Sequence, residues 1–311
     1  MGTIPTRKLV AGAFFLAIIA SIGVAQGSSP DETPESLLRL SQKHRDAGQL
    51  AEAERLLRRK VTLEERTFGS RSMQVAQTLD TLADLYSEDA NYLEAEAVLR
   101  TSLAIHAAID GPETTTDNCL VRLAGVVAHQ QKFLEAQHLY QEALTRQMRD
   151  TGTEDFTVLG ELAEVYRLAK DYSKAEEINQ RALQLELGSQ EPGSGFVLGT
   201  IERLGTVYEE QGKYVQEETL YRNAAESSQA LLPRGDLTII AHLNDLGLFY
   251  ERRERFQEAE TYYGRALGQF VGLSNDGLKD SNLGIVTRNY ARLLRLMGRV
   301  AEAEQHEAKV K

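Results

Sequence analysis

The sequence predicts an all-α protein, built as a solenoid of stacked helix pairs. Three observations predict it. First, apolar residues fall at helical spacing across residues 243–267 (LNDLGLFYERRERFQEAETYYGRAL). Leu243, Leu246, Gly247 and Tyr250 form one face; after the polar break at Glu251, Arg252, Arg253 and Glu254, Phe256, Ala259, Tyr263, Ala266 and Leu267 form a second. Second, the pattern repeats. Ala259 has counterparts at Ala53, Ala95, Ala136, Ala175 and Ala303, with Glu217 as one departure, at gaps of 42, 41, 39, 42, 42 and 44 residues. Third, one helical hairpin cannot bury both its faces, so a fixed period of this size marks pairs that stack on one another. The small residues Gly247 and Ala259 are expected to let the two antiparallel helices approach closely, with aromatics packed around them.

The first-helix signature recurs as Leu82-Ala83-Tyr86, Leu162-Ala163-Tyr166, Leu204-Gly205-Tyr208 and Leu246-Gly247-Tyr250. The residue three before the alanine position recurs as Leu50, Tyr92, Phe133, Tyr172, Tyr214, Phe256 and Val300. This motif resembles the tetratricopeptide repeat, in the longer form of about 42 residues found in kinesin light chains. The resemblance covers residues 35–311. It implies a right-handed superhelical solenoid of about seven antiparallel helix pairs and a non-enzymatic protein-interaction scaffold.

In chain order, Arg7 and Lys8 precede an uncharged run over residues 9–25 (LVAGAFFLAIIASIGVA) that ends on Gly23 and Ala25. This reads as a signal peptide over residues 1–25, cleaved before Gln26, with an uncleaved membrane anchor over residues 9–25 as the alternative. Either sends the repeats out of the cytoplasm, to the periplasm or the medium in the cleaved case. The Met1-Gly2 start with Thr6 also fits a myristoylation pattern, which carries less weight beside the secretory signal. Residues 26–34 (QGSSPDETP) are a Ser-, Pro- and acid-rich linker.

The first repeat is atypical, with Ser41 at the small position and His44 at the tyrosine position, as a terminal repeat that meets water on one side should be. Stop signals follow the second helices: Asp110-Gly111-Pro112, residues 188–195 (GSQEPGSG), Pro233-Arg234-Gly235-Asp236 and Asn275-Asp276-Gly277. Glu217 at an alanine position implies either a rotated helix or a basic neighbour, since an unpartnered buried carboxylate costs at least a few kcal/mol. No polar capping helix follows the seventh repeat. A self-associating structural protein that uses this open face and Cys119 is therefore the competing expectation.

Composition narrows the function. The net charge is −11; without residues 1–25 it is −13, from 33 Lys plus Arg against 46 Asp plus Glu. Such a surface disfavours nucleic acid and anionic lipid. The single cysteine, Cys119, precludes an internal disulfide and, beside Leu120, is expected to be buried. The sequence contains no GxxxxGK[ST], HExxH or GxSxG motif, and His44, His106, His129, His138, His242 and His306 never pair at the spacing of a helical metal site. No cofactor or metal is expected, and the partner is expected to be a protein or peptide.

The family resemblance implies that successive first helices line a concave groove. There the residues two before, two after and five after the leucine of each Leu-small pair point inward. In this sequence they are Leu38, Gln42 and Arg45; Asp80, Asp84 and Ser87; Val121, Gly125 and Ala128; Gly160, Glu164 and Arg167; Glu202, Thr206 and Glu209; Asn244, Leu248 and Glu251; and Arg288, Arg292 and Arg295. The second, fourth, fifth and sixth sets are mainly acidic, the third is small and apolar, and the seventh is an arginine stripe. The expected ligand is an extended or helical segment with basic or apolar side chains over the middle repeats and a carboxylate at the arginines.

Overall fold

The computed structural model describes residues 33–109, 113–188, 195–270 and 277–308. The signal and most of the linker lie outside them, as do residues 110–112, 189–194 and 275–276 of the stop signals.

The described residues form fourteen helices and no strand. They are α1 (Pro34–Asp46), α2 (Leu50–Phe68), α3 (Met73–Glu88), α4 (Tyr92–Ala108), α5 (Glu113–His129), α6 (Phe133–Thr151) and α7 (Phe156–Leu168), then α8 (Tyr172–Gly188), α9 (Gly195–Glu210), α10 (Tyr214–Leu231), α11 (Leu237–Arg252), α12 (Phe256–Gly268), α13 (Gly277–Leu296) and α14 (Val300–Ala308). Odd-numbered helices are the first of each pair and even-numbered helices the second. The chain forms two compact units, one ending at Val165 and the other beginning at Tyr166, within α7.

Helix starts are written locally. Thr33 and Ser36 form a reciprocal capping box on α1, with Pro34 in its first turn. Ser72 caps α3 and Asp236 caps α11 through side-chain oxygens that accept backbone N–H groups. The turn inside every pair is built one way. A residue at positive φ sits five before the alanine position: Gly48, Ala90, Gln131, Lys170, Gly212, Glu254 and Gly298. In the turn at Lys170, its amide donates to Arg167 O at 2.8 Å and the Asp171 amide donates to Tyr166 O at 2.9 Å. This closes the last turn of the first helix. Four of the seven are not glycine, so the packed pair imposes a conformation that costs an L-residue about 1–2 kcal/mol.

In each unit the core is the repeat motif itself. Leu82, Ala83 and Tyr86 are buried with Ala53 and Ala95 in the first unit; Leu204, Tyr208, Leu246 and Tyr250 are buried with Ala175 and Ala259 in the second. Gly247 and Gly205 admit an aromatic ring: a Cβ on Gly247 would sit 2.6 Å from the Tyr263 ring, and one on Gly205 2.5 Å from Tyr221 Cζ. Ion pairs rivet successive pairs together. The cation just before a second helix meets the glutamate one past the alanine position of the preceding pair: Lys132–Glu96 (2.6 Å), Lys213–Glu176 (2.6 Å), Arg255–Glu218 (2.9 Å) and Arg299–Glu260 (2.7 Å).

Glu217 takes the second of its two expected solutions. It is fully buried in α10, and Arg253 reaches it at 2.5 Å while stacking over the Tyr214 and Phe249 rings. Cys119 is buried, as expected, and its thiol lies 3.6 Å from Leu99 O. Ser41 is buried, and His44 meets the Gln49 side chain at the first turn.

Candidate functional site

The leucine stripe of each first helix packs on its second helix, which leaves the opposite side for the inward-facing set. In the first unit this set is largely satisfied by the chain itself. Asp80 turns into the α3–α4 packing, accepting from Ser102 Oγ at 2.5 Å and facing His106 Nε2 at 3.0 Å. Asp84 accepts from Arg122 at 2.6 Å. Arg45 pairs with Glu88. Val121, Gly125, Ala128 and Glu164 are half-buried, and Gly160 is buried.

In the second unit most of the set is engaged as well. Arg167 pairs with Glu210 at 2.6 Å, and Glu209 with Arg252 at 2.8 Å. Asn244 is 8% exposed and accepts from Asn289, so it is packing and not groove. Glu251 accepts from Tyr263 Oη at 2.7 Å and from Arg292 at 2.7 Å. Arg295 pairs with Glu307 at 2.7 Å. Two of the three stripe arginines are thus already engaged, and Arg288 is exposed. Glu202 and Thr206 are exposed; Leu248 is half-buried.

Between α9, α10 and α11 these residues border a cavity of about 240 Å³, lined by Glu202, Thr206, Tyr221, Asp245, Leu248, Phe249 and Arg252. Tyr221 reaches it because Gly205 lets its ring cross α9. One wall is apolar, from Leu248, Phe249 and the Tyr221 ring. The other carries charge. Burial, reinforced by the charge of Glu202, pushes the Asp245 carboxyl up to about 7, and its Oδ2 is buried with no hydrogen-bond partner. Burial likewise raises Glu217, which lies close by, to about 7 against the pull of Arg253.

Sequence reasoning found Glu202, Thr206 and Leu248 but missed Tyr221, Asp245, Phe249 and Arg252. A signal existed for Tyr221. The residue sixteen after the small position packs against it, and glycine at positions 205 and 247 is matched by tyrosine at 221 and 263. Alanine at position 83 is matched by Leu99.

Elsewhere, no three His, Cys, Asp or Glu side chains among the described residues could hold a metal ion, and none of the described helices is long and apolar enough to cross a membrane. His242 is buried in α11, and burial pushes its imidazole down to about 4, so it sits neutral.

The tetratricopeptide-repeat family model matches residues 32–108 and 115–185, and a second model of the same repeat matches residues 239–268. No protein of curated function matches the sequence. Among solved structures, the chain is similar to the kinesin-light-chain TPR-like repeats of Podosopora anserina, at 20% identity over 65% of this chain and 100% of that one, with a TM-score of 0.56. It is similar to a signal transduction ATPase with a tetratricopeptide repeat sensor from Pyrococcus horikoshii (16% identity, TM-score 0.58), over 89% of this chain and 41% of that one. It is also similar to a tetratricopeptide repeat protein from Parabacteroides merdae, at 13% identity over 89% and 91% of the two chains, with a TM-score of 0.52. With the repeat motif, the helix pairs and the family match in agreement, the chain belongs to the tetratricopeptide repeat proteins.

Proposed function

We propose that this protein is an interaction scaffold that receives a partner's polypeptide segment across the first-helix face of its second unit. The observation that carries this is the cavity opening between α9 and α11, bordered by exposed Glu202 and Thr206. Solenoid folds of this family serve protein–protein interaction, and a groove lined by side chains that the fold does not consume is where binding energy is available. Immobilised protein exposed to extract of its source organism tests the reading. A variant with Glu202 and Glu209 changed to Lys runs beside it. The expected result is a protein retained by the native chain and lost by the variant. Equal retention by both moves the site to another face.

A second reading, self-association, is favoured by the exposure of Leu296 and Val300 around the turn between α13 and α14. Light scattering over a concentration series separates the two: growth in mass with concentration supports it, and a constant monomer mass removes it. The export reading rests on the apolar run at residues 9–25. Mass spectrometry of the native N-terminus tests it, with Gln26 as the expected first residue.

A further inference from the structure

We propose that the cavity between α9, α10 and α11 is a pocket for a basic side chain, lysine or arginine, of a partner protein. This rests on the reading that a polypeptide lies over the same face. The argument is a charge count. Four carboxylates, Glu202, Glu209, Glu217 and Asp245, surround the Tyr221 hydroxyl end or line the cavity. Two guanidinium groups answer them, and both are committed: Arg252 to Glu209 at 2.8 Å and Arg253 to Glu217 at 2.5 Å.

Glu202 and Asp245 are left over. Asp245 Oδ2 has no partner and no contact with solvent. A buried acceptor left unpaired costs roughly 1–3 kcal/mol, so folding alone does not favour a carboxylate here. A ligand that brings a positive charge recovers that cost. A metal ion is not that ligand, because the described carboxylates do not converge into a coordination set. A side chain suits the shape. About 240 Å³ is room for an alkyl stem, Leu248, Phe249 and the Tyr221 ring cover such a stem, and the carboxylates take its cationic end. The opening lies on the first-helix face, so the stem can reach in from a backbone running outside.

The test uses three peptides, acetyl-Gly-Ser-Xaa-Ser-Gly-amide with Xaa lysine, norleucine or glutamate. Each is titrated into the full-length chain while backbone amide NMR shifts are followed. The lysine peptide is expected to give saturable shifts centred on Thr206, Asp245 and Leu248, and the other two none there. The double variant E202Q/D245N, isosteric and with the same fold by circular dichroism, should weaken the lysine peptide about tenfold or more. Equal shifts from norleucine, or unchanged lysine binding in the double variant, would overturn the pocket. So would spermidine that saturates these shifts where the lysine peptide does not, since that makes the cavity a free-amine site. The failures are separable. Lysine binding without any captured partner removes the scaffold reading and keeps the pocket, and partner capture by the E202Q/D245N variant at native strength removes the pocket and keeps the scaffold.

Discussion

The crevice between α1 and α3 and the cavity between α9 and α11 occupy the same place in their repeats, yet their chemistry differs. The first, about 10 Å³, is lined by Ser41, Gln42, Arg45, Ala53, Leu57, Thr81 and Leu85. In repeat register Thr206 replaces Gln42, Tyr221 replaces Leu57, Asp245 replaces Thr81 and Phe249 replaces Leu85. Thr81 answers its own helix, donating to Gln77 O at 3.0 Å, and the Arg45–Glu88 pair closes the rim. In the second, the rim pair has its polarity reversed, as Glu209–Arg252, and the Oδ2 atom of Asp245 is buried with no hydrogen-bond partner. A repeat array specifies its scaffold many times over. Its function is therefore read at the positions where one copy departs from the others in charge.

The largest expected effect lies beneath the second cavity, where Glu217 stands in place of Ala53. Arg253→Ala should destabilise the second unit by about 3–5 kcal/mol, because it strands a carboxylate with no exposed surface. Restoring the repeat's small residue at the same time, as E217A/R253A, should recover most of that loss. Urea denaturation followed by circular dichroism measures both. A mild single variant would mean that water already reaches Glu217, which would erase this difference between the two regions.

Next comes Gly205→Ala. Its Cβ would lie 2.5 Å from Tyr221 Cζ, and the ring is hemmed in by Phe249, so overpacking of about 1–3 kcal/mol is expected. The matching change in the first unit, Ser41→Ala, creates no overlap and removes only the bond that Ser41 Oγ donates to Leu38 O, so it should cost about 0.5–1.5 kcal/mol. Gly125→Ala meets Tyr140 Oη only at 3.4 Å and should be milder than Gly205→Ala. Thermal denaturation of the three variants ranks them.

These contrasts bear on what the sequence could show. The helix pairs, their order and most of their core were legible because each rests on local spacing repeated seven times. The turns were not, because Ala90, Gln131, Lys170 and Glu254 hold a left-handed backbone that their own preferences oppose; packing of the pair decides. The inward-facing set was half legible. Periodicity placed Glu202 and Thr206 correctly on an exposed face. It could not see that Asp80 would be claimed by Ser102 and His106, Glu251 by Tyr263 and Arg292, or Asn244 by Asn289. Those partners lie 12 to 45 residues away, and one helix face carries no record of them. Asp245 was missed because it stands one residue before Leu246, between the stripe that packs and the stripe that faces out.

A smaller effect separates the regions by pH. Burial holds the Asp245 carboxyl up to about 7 in the folded protein, against the ordinary carboxylate range when unfolded. The folded state keeps that proton where the unfolded chain has lost it. The stability it confers is therefore full below about pH 4 and lost as the pH climbs through 7. Asp245→Asn mimics the protonated form, so it should leave stability at pH 4 unchanged and raise it at pH 8 by about 1–2 kcal/mol, a figure discounted for partial exposure. His242 slopes the other way below pH 6.5, but it is common to both proteins and cancels in the difference. Thr81→Asn in the first unit should show no pH-dependent gain. A flat difference for Asp245→Asn across this range would mean that its carboxyl titrates normally.

The smallest stability effect carries the sharpest contrast in binding. Arg45 and Arg252 each hold a rim ion pair that is partly exposed, so replacing either by Ala should cost about 0–1 kcal/mol. Their consequences for a cation should differ. Arg45→Ala frees only Glu88, beside a crevice too small to admit a side chain. Arg252→Ala frees Glu209 and removes the one positive charge lining a cavity that already holds Glu202 and Asp245. Affinity for the lysine peptide should then rise several-fold, about 1 kcal/mol for a partly screened charge at close range. NMR titration of the two variants decides it. A fall in lysine affinity with Arg252→Ala, or a gain for the glutamate peptide in the native protein, would mean that Arg252 is the recognition group and that the cavity takes a carboxylate.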